Sequence, residues 1–170
     1  MRTTAKCRLL ASAALGGGVI LSQIREFDYL YSLSGMPHSV LSLGGHWSNL
    51  DIEVEDTAST LMNFSVDDKP VAVHLQQAYL QRPACRQCEI IGDQGKIVAD
   101  FAGLRVTSTL GTRDCAGLER NQLFLDQIKH FLASMDGQET PVVDLSAGIQ
   151  SLRMALAAKK STTSGKPVFL

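Results

Sequence analysis

The sequence predicts an α+β fold of two layers: a mostly antiparallel, open-faced sheet with helices packed on one face. Three observations carry that prediction. The elements run helix, several strands, two helices, which is the segregated order of an α+β chain and not the alternation of a parallel sheet. The links between successive strands are short, and only antiparallel hairpins tolerate short links. The strand segments also alternate apolar and polar residues, so one sheet face is left for solvent or for a second copy of itself.

Taken in order, Arg2, Lys6 and Arg8 precede an apolar stretch at 9–15 that is similar to the start of a secretory signal. That stretch is short and three glycines follow it, so residues 1–15 are read as a lead segment of a cytoplasmic protein and residues 16–170 as a single domain. After Gly16, Gly17 and Gly18, the apolar residues Ile20, Ile24, Phe27 and Tyr31 fall on one stripe of a helix. Ser22, Arg25, Glu26, Tyr29 and Ser32 lie opposite, with Asp28 at the flank, until Gly35 and Pro37 end the helix. Residues 40–43 form a short apolar strand and 57–66 an alternating one. Asp67, Asp68, Lys69 and Pro70 turn the chain into a returning strand that carries Val71, Val73, Leu75, Gln77 and Tyr79 on one face. Gly92-Asp93-Gln94-Gly95 joins a strand ending at Ile91 to another at 96–101, and 104–110 reads as one further strand. Two helices follow, with stripes Phe124, Ile128, Phe131, Met135 and Leu145, Ile149, Leu152, Leu156, the second capped by Asp144. Gly165 and Pro167 then leave Val168 to Leu170 as an edge strand.

Composition excludes several classes of function. The chain has 170 residues, of which 45% are hydrophobic and 19% charged, so it is neither disordered nor a coiled coil. A net charge of -1 gives no basic excess for nucleic acid. No apolar run reaches the ~18 residues of a membrane span. Cys85 and Cys88 form a CxxC pair, but no second pair follows to complete a zinc site. Both cysteines fall in a predicted strand, where residues three apart face opposite ways. They are read as structural, and no metal is expected. Phosphate-cradling GxGxxG or GxxxxGK[ST] loops, a GxSxG elbow and HExxH are all missing, so no cofactor is expected to bind this chain alone.

Residues 16–30, from Gly16-Gly17-Gly18-Val19-Ile20-Leu21 through Gln23, Arg25 and Glu26 to Asp28-Tyr29-Leu30, resemble the GGGVxLxxxHExDYL helix of Gfo/Idh/MocA-type oxidoreductases. Val54-Glu55-Asp56-Thr57-Ala58 is similar to that family's VEDTA segment. Tyr79-Leu80-Gln81-Arg82-Pro83 with Arg86, then Ile91-Gly92 to Ile97, resemble DYxQRPxxR followed by IxGxxGxI. Arg120 to Phe124 and residues 157–168 also fit, so the resemblance covers about residues 14–170.

The resemblance implies the C-terminal substrate and oligomerisation domain of an enzyme that uses NAD or NADP bound to an N-terminal Rossmann domain. It implies a sugar or cyclitol substrate touched by Gln23, Arg25, Asp28, Arg82 and Arg86. A homo-oligomer through the open sheet face and a separate Rossmann-domain chain are the partners it implies; nucleic acid and membrane are not. The family's helix histidine, expected in proton transfer, matches Arg25, and its EKP lysine has no counterpart. A guanidinium keeps its proton at neutral pH and is no general base, although it clamps carboxylates and phosphates. No residue is therefore expected to be catalytic. The alternative expectation is a non-catalytic module that keeps the fold for self-association or ligand binding. Bland readings also stand: an Arg25–Asp28 surface ion pair, a charge pair Glu55-Asp56 where the strand begins, Arg82 and Arg86 flanking Pro83 in a loop, and structural roles for His38, His46 and His74.

Overall fold

A computed structural model describes residues 10–114 and 119–170. The lead segment up to residue 9 and Cys115 lie outside the described residues. Four helices and two four-stranded sheets, all of whose strand pairs are antiparallel, give the α+β class that the sequence predicts. The strands divide between two sheets where the hairpin pattern suggested one. Two compact units result, residues 1–80 with 143–170 and residues 81–142.

In the first unit, a 3-10 turn at Ala13–Leu15 leads to α1 (Val19–Ser22) and α2 (Arg25–Ser34). The single helix expected there is broken at Gln23 and Ile24. At the break Ile24 N–H donates to Leu21 O (3.3 Å) and Glu26 N–H to Gln23 O (3.0 Å), the tighter i→i+3 pattern that interrupts an α-helical ladder. The second segment buries Glu26 along with Phe27 and Leu30, so Glu26 is not on the solvent face where periodicity put it. Gly35 ends α2 at φ 73°.

The strands β1 (Ser39–Gly45), β2 (Thr57–Val66) and β3 (Lys69–Ala78) follow, and β8 (Val168–Phe169) closes the sheet in the order β3-β2-β1-β8. The β2–β3 hairpin pairs Val66 with Lys69 across Asp67 and Asp68, both at positive φ as a two-residue turn demands. Alternation holds: Ala58, Thr60, Met62 and Phe64 are buried while Leu61, Asn63 and Ser65 are exposed. The last helix, α4 (Leu145–Ser164; α3 lies in the second unit), packs on the buried face of this sheet with α1 and α2. Asp144 caps it as predicted, accepting from Ala147 N–H at 2.8 Å.

The buried side of α4 is not the predicted stripe. Ser151, Met154, Ala155, Ala157, Ala158 and Ser161 face the core, whereas Leu145, Ile149, Leu152 and Leu156 are 42% to 81% exposed. Small residues let the helix backbone approach β1 closely enough for Ser42 N–H to donate to Ser161 Oγ at 2.9 Å. Ser42 Oγ and Thr60 Oγ1 complete a buried hydroxyl pair at 2.8 Å. Phe27, Phe64, Ile20 and Met154 are the largest apolar side chains sealed in this core.

The second unit contains β4 (Gln87–Gly92), β5 (Gly95–Asp100), β6 (Arg105–Ser108) and β7 (Gly111–Asp114), paired in that order, then α3 (Arg120–Met135). The Gly92–Gly95 hairpin is as predicted. The strand expected at 104–110 is the shorter β6, and β7, which the sequence reading does not include, returns beside it across Thr109 and Leu110. Cys85 precedes β4 and only Cys88 lies within it, so the pair does not share a strand. None of the described hydrophobic side chains of this unit is buried, and the stripe Phe124, Ile128, Phe131, Met135 is 55% to 69% exposed.

Candidate functional site

The site-forming segment of the first unit is the helix break. Ser22 Oγ donates back to Gly18 O at 2.7 Å, which leaves it to accept from the Tyr79 hydroxyl. Gln77, buried on β3, donates its Nε2 to Gln23 O at 3.3 Å. Gln77 of β3 and Tyr79 just after it therefore hold the break that carries Gln23 and leads into Arg25. The sequence places Gln77 and Tyr79 on one strand face and gives neither a role at this turn. The signal for Gln77 was its place in the row Val71, Val73, Leu75, where an amide interrupts an inward apolar face.

Arg25 projects to solvent with its side chain 67% exposed, and its Nε lies 3.4 Å from Glu26 Oε1. The expected Arg25–Asp28 surface pair does not form; Asp28 instead accepts from Ser151 Oγ at 2.9 Å and ties α2 to α4. Arg82 and Arg86 belong to the second unit. Arg82 precedes a cis Pro83, and the Arg86 guanidinium lies 4.7 Å from the centroid of the Phe101 ring. Gln23, Arg25 and Asp28 thus sit on one helix pair, while Arg82 and Arg86 sit in a separate unit.

Glu55 and Asp56 do more than open a strand. Val19 N–H donates to Glu55 O at 2.9 Å, and Ile20 N–H reaches Glu55 Oε1 at 3.4 Å. Lys159 Nζ lies 3.9 Å from Glu55 Oε2 and donates to Gly17 O at 3.5 Å. A Cβ on Gly18 would stand 2.2 Å from Glu55 Oε1, and φ is +108° there, so glycine is required twice over. Asp56 is fully buried and accepts from Trp47 N–H (3.1 Å), Ser48 N–H (3.1 Å) and Ser48 Oγ (2.6 Å). Burial pushes its carboxyl up, but the bonds from Ser48, Trp47 and Thr57 outweigh that and hold it below the ordinary carboxylate value.

This geometry does not fit a dinucleotide. The three glycines follow a 3-10 turn and not a strand, and Gly17 and Gly18 serve close packing against the Leu10 backbone and the Glu55 side chain. A carboxylate occupies the amino end of α1, where a diphosphate would need bare N–H donors. Both sheets lack the parallel crossover that creates a nucleotide crevice. No step through a nicotinamide is derived from these residues. Among the described residues, no group of three or more His, Cys, Asp or Glu side chains is placed to hold a metal ion. No described helix is long and apolar enough to cross a membrane.

An antiparallel sheet with helices on one face, a glycine-led broken helix, and a carboxylate at the amino end of α1 define an α+β domain distinct from a parallel nucleotide-binding fold. The chain belongs to the Gfo/Idh/MocA oxidoreductase family: residues 11–170 match its model for the C-terminal alpha/beta domain. Solved structures agree in fold. A Thermotoga maritima protein described as an oxidoreductase superposes with TM-score 0.75 at 24% identity, over 95% of this chain and 50% of that one. WlbA dehydrogenase from Bordetella pertussis, solved with NADH and UDP-GlcNAcA, gives 0.70 at 22%, covering 91% and 45%. Myo-inositol 2-dehydrogenase from Lactobacillus plantarum gives 0.71 at 21%, covering 94% and 50%. The chain spans about half the length of these structures. Curated proteins gave no match.

Proposed function

We propose that this chain is the substrate-binding and self-associating half of an NAD(P)-dependent sugar or cyclitol oxidoreductase, inactive as a dehydrogenase by itself. A Rossmann domain supplies the NAD or NADP, and the cytoplasm is the proposed compartment. The observation that carries the reading is the helix break: Gln77 and Tyr79 fix it from below, and Arg25 stands on it as an exposed cation. There the guanidinium clamps a carboxylate or phosphate of the ligand, with Gln23 and Asp28 beside it. Within the second unit, Arg82 and Arg86 are proposed to bind an acidic group of a substrate or cofactor.

Self-association is proposed through the open face of the first sheet. By strand alternation that face carries Ser39, Leu41 and Leu43 of β1, Ser59, Leu61 and Asn63 of β2, Ala72, His74 and Gln76 of β3, and Phe169 of β8. Leu61, Leu43 and Phe169 are 54%, 62% and 79% exposed. The Trp47 ring closes over Gly45 at one end, its Nε1 2.7 Å from where a Cβ would sit. Strand lengths and spacing give a flat footprint of about 450 Å² per copy, so a face-to-face pair approaches the ~1,000 Å² of a specific interface once side-chain relief is added. Such a face is self-complementary because neither copy brings a charged strand residue to it.

A second reading, a non-catalytic module, is favoured by Arg25, which cannot take a proton where the family's histidine would. Assaying the purified chain with NAD(H) and sugar substrates, with and without a Rossmann-domain partner, separates the two. Activity that appears only with the partner supports the first reading; none with any partner supports the second.

A further inference from the structure

We infer that assembly through the open sheet face is switched off by acid, and that His74 is the switch; the inference rests on the self-association reading above. His74 is exposed midway along β3, an edge strand of that sheet, paired across β3–β2 with Leu61, and its Nε2 lies 2.8 Å from Ser59 Oγ. It is the one titratable side chain among the open-face strand positions of the sheet, because β1, β2 and β8 contribute only Ser, Leu, Gly, Thr, Asn and Phe there. The rest of β3 adds only Pro, Ala and Gln.

The charged and titratable groups of this neighbourhood lie at its ends. Asp67, Asp68 and Lys69 are at the β2–β3 turn, His38 precedes β1, and His46, Asp51 and Glu53 are in the connection from β1 to β2. His46 faces Asp56 at 3.8 Å, on the far side of the Trp47 loop. No carboxylate on the strands stands ready to pair with an imidazolium at position 74. A neutral imidazole fits the docked face, keeping its bond to Ser59 and packing beside Leu61. A protonated one brings an unpaired cation into a closing, charge-free interface, which burial strongly disfavours. Two-fold symmetry doubles the effect, since each copy carries the same residue to the same face.

Linkage sets the size. If both histidines must be neutral in the dimer, each proton that has to leave on association contributes about tenfold per pH unit to the dissociation constant, hence about a hundredfold per unit for the pair. Sedimentation velocity on the whole chain between pH 8 and pH 5 reads this directly, using wild type, His74→Gln, His46→Gln and Leu61→Lys. Trp47 emission and far-UV circular dichroism confirm that each variant is folded. The inference expects a wild-type dimer at pH 8 that dissociates on acidification, a His74→Gln dimer whose dissociation constant is flat with pH, and His46→Gln behaving as wild type. A wild-type dimer with no pH dependence, or one whose dependence survives His74→Gln, overturns the switch while leaving the interface standing. A chain that is monomeric at pH 8, or a dimer indifferent to Leu61→Lys, overturns the interface and the switch together.

Discussion

Asp56→Asn is expected to loosen the Trp47 loop and to remove an acid-sensitive part of the first unit's stability. In the native fold, Asp56 Oδ1 takes the Trp47 N–H, and Oδ2 takes both the N–H and the hydroxyl of Ser48. Asparagine keeps one acceptor oxygen and sets an NH2 group against a backbone N–H at the other position. At least one charge-assisted bond is lost and one buried donor is left facing another, a combined loss of about 2–4 kcal/mol. Urea denaturation followed by tryptophan emission measures this cleanly, because Trp47 is the sole tryptophan and lies in the loop concerned. The pH dependence has a definite sign. The folded carboxyl is held below its ordinary 3.8, so the stabilisation is fully present above that value and is lost as pH falls below it through the folded value. Wild type should therefore lose stability over that acid window more steeply than Asp56→Asn. A variant within about 0.5 kcal/mol of wild type, the scatter of ordinary surface substitutions, with an unchanged acid profile, would refute the assignment of Asp56 as the anchor.

Two further substitutions test the packing. Gly18→Ala forces a side chain into a φ of +108° and onto the Glu55 carboxylate, so it should cost about 3 kcal/mol or more in urea unfolding, while Gly16→Ala, which meets open space, should cost about 1 kcal/mol from its backbone alone. Met154→Ala should cost about 2–5 kcal/mol by leaving a cavity under α4, whereas Leu152→Ala on the exposed stripe should stay within about 1 kcal/mol; equal losses would mean that the helix has been turned the wrong way.

What the sequence disclosed and what it hid divide along a physical line. Signals that act over a few residues were legible: the two-residue turns at Asp67-Asp68 and Asp93-Gln94, the Asp144 cap, and the alternation of β2. Signals that depend on which partner a surface meets were not. On α4 the large residues form the more conspicuous stripe, yet the small ones are buried, because close helix–sheet approach favours alanine and serine over leucine. The break in the first helix is set by Gln77 and Tyr79 from a strand more than fifty residues away, so no local periodicity announces it. The family pattern located Gln23, Arg25 and Asp28 on one element, but three-residue spacing could not show that Asp28 would turn to Ser151 instead of Arg25. Nor do hairpin links reveal that four strands separate into a sheet of their own.

The proposal to be tested is that the helix break contacts an anionic group of a sugar or cyclitol ligand and that the domain does not itself seat the dinucleotide. Calorimetric titration of the whole chain with a panel of sugar acids, sugar phosphates and cyclitols, with NADH as the second titrant, tests it most directly. The expected result is measurable heat with at least one anionic ligand of the panel, a roughly tenfold or greater loss of its affinity in Arg25→Ala, consistent with about 1.5–3 kcal/mol for a charge-assisted bond, and none with NADH. Saturable NADH binding to the chain alone, no heat with any of the panel, or an affinity untouched by Arg25→Ala, would contradict it.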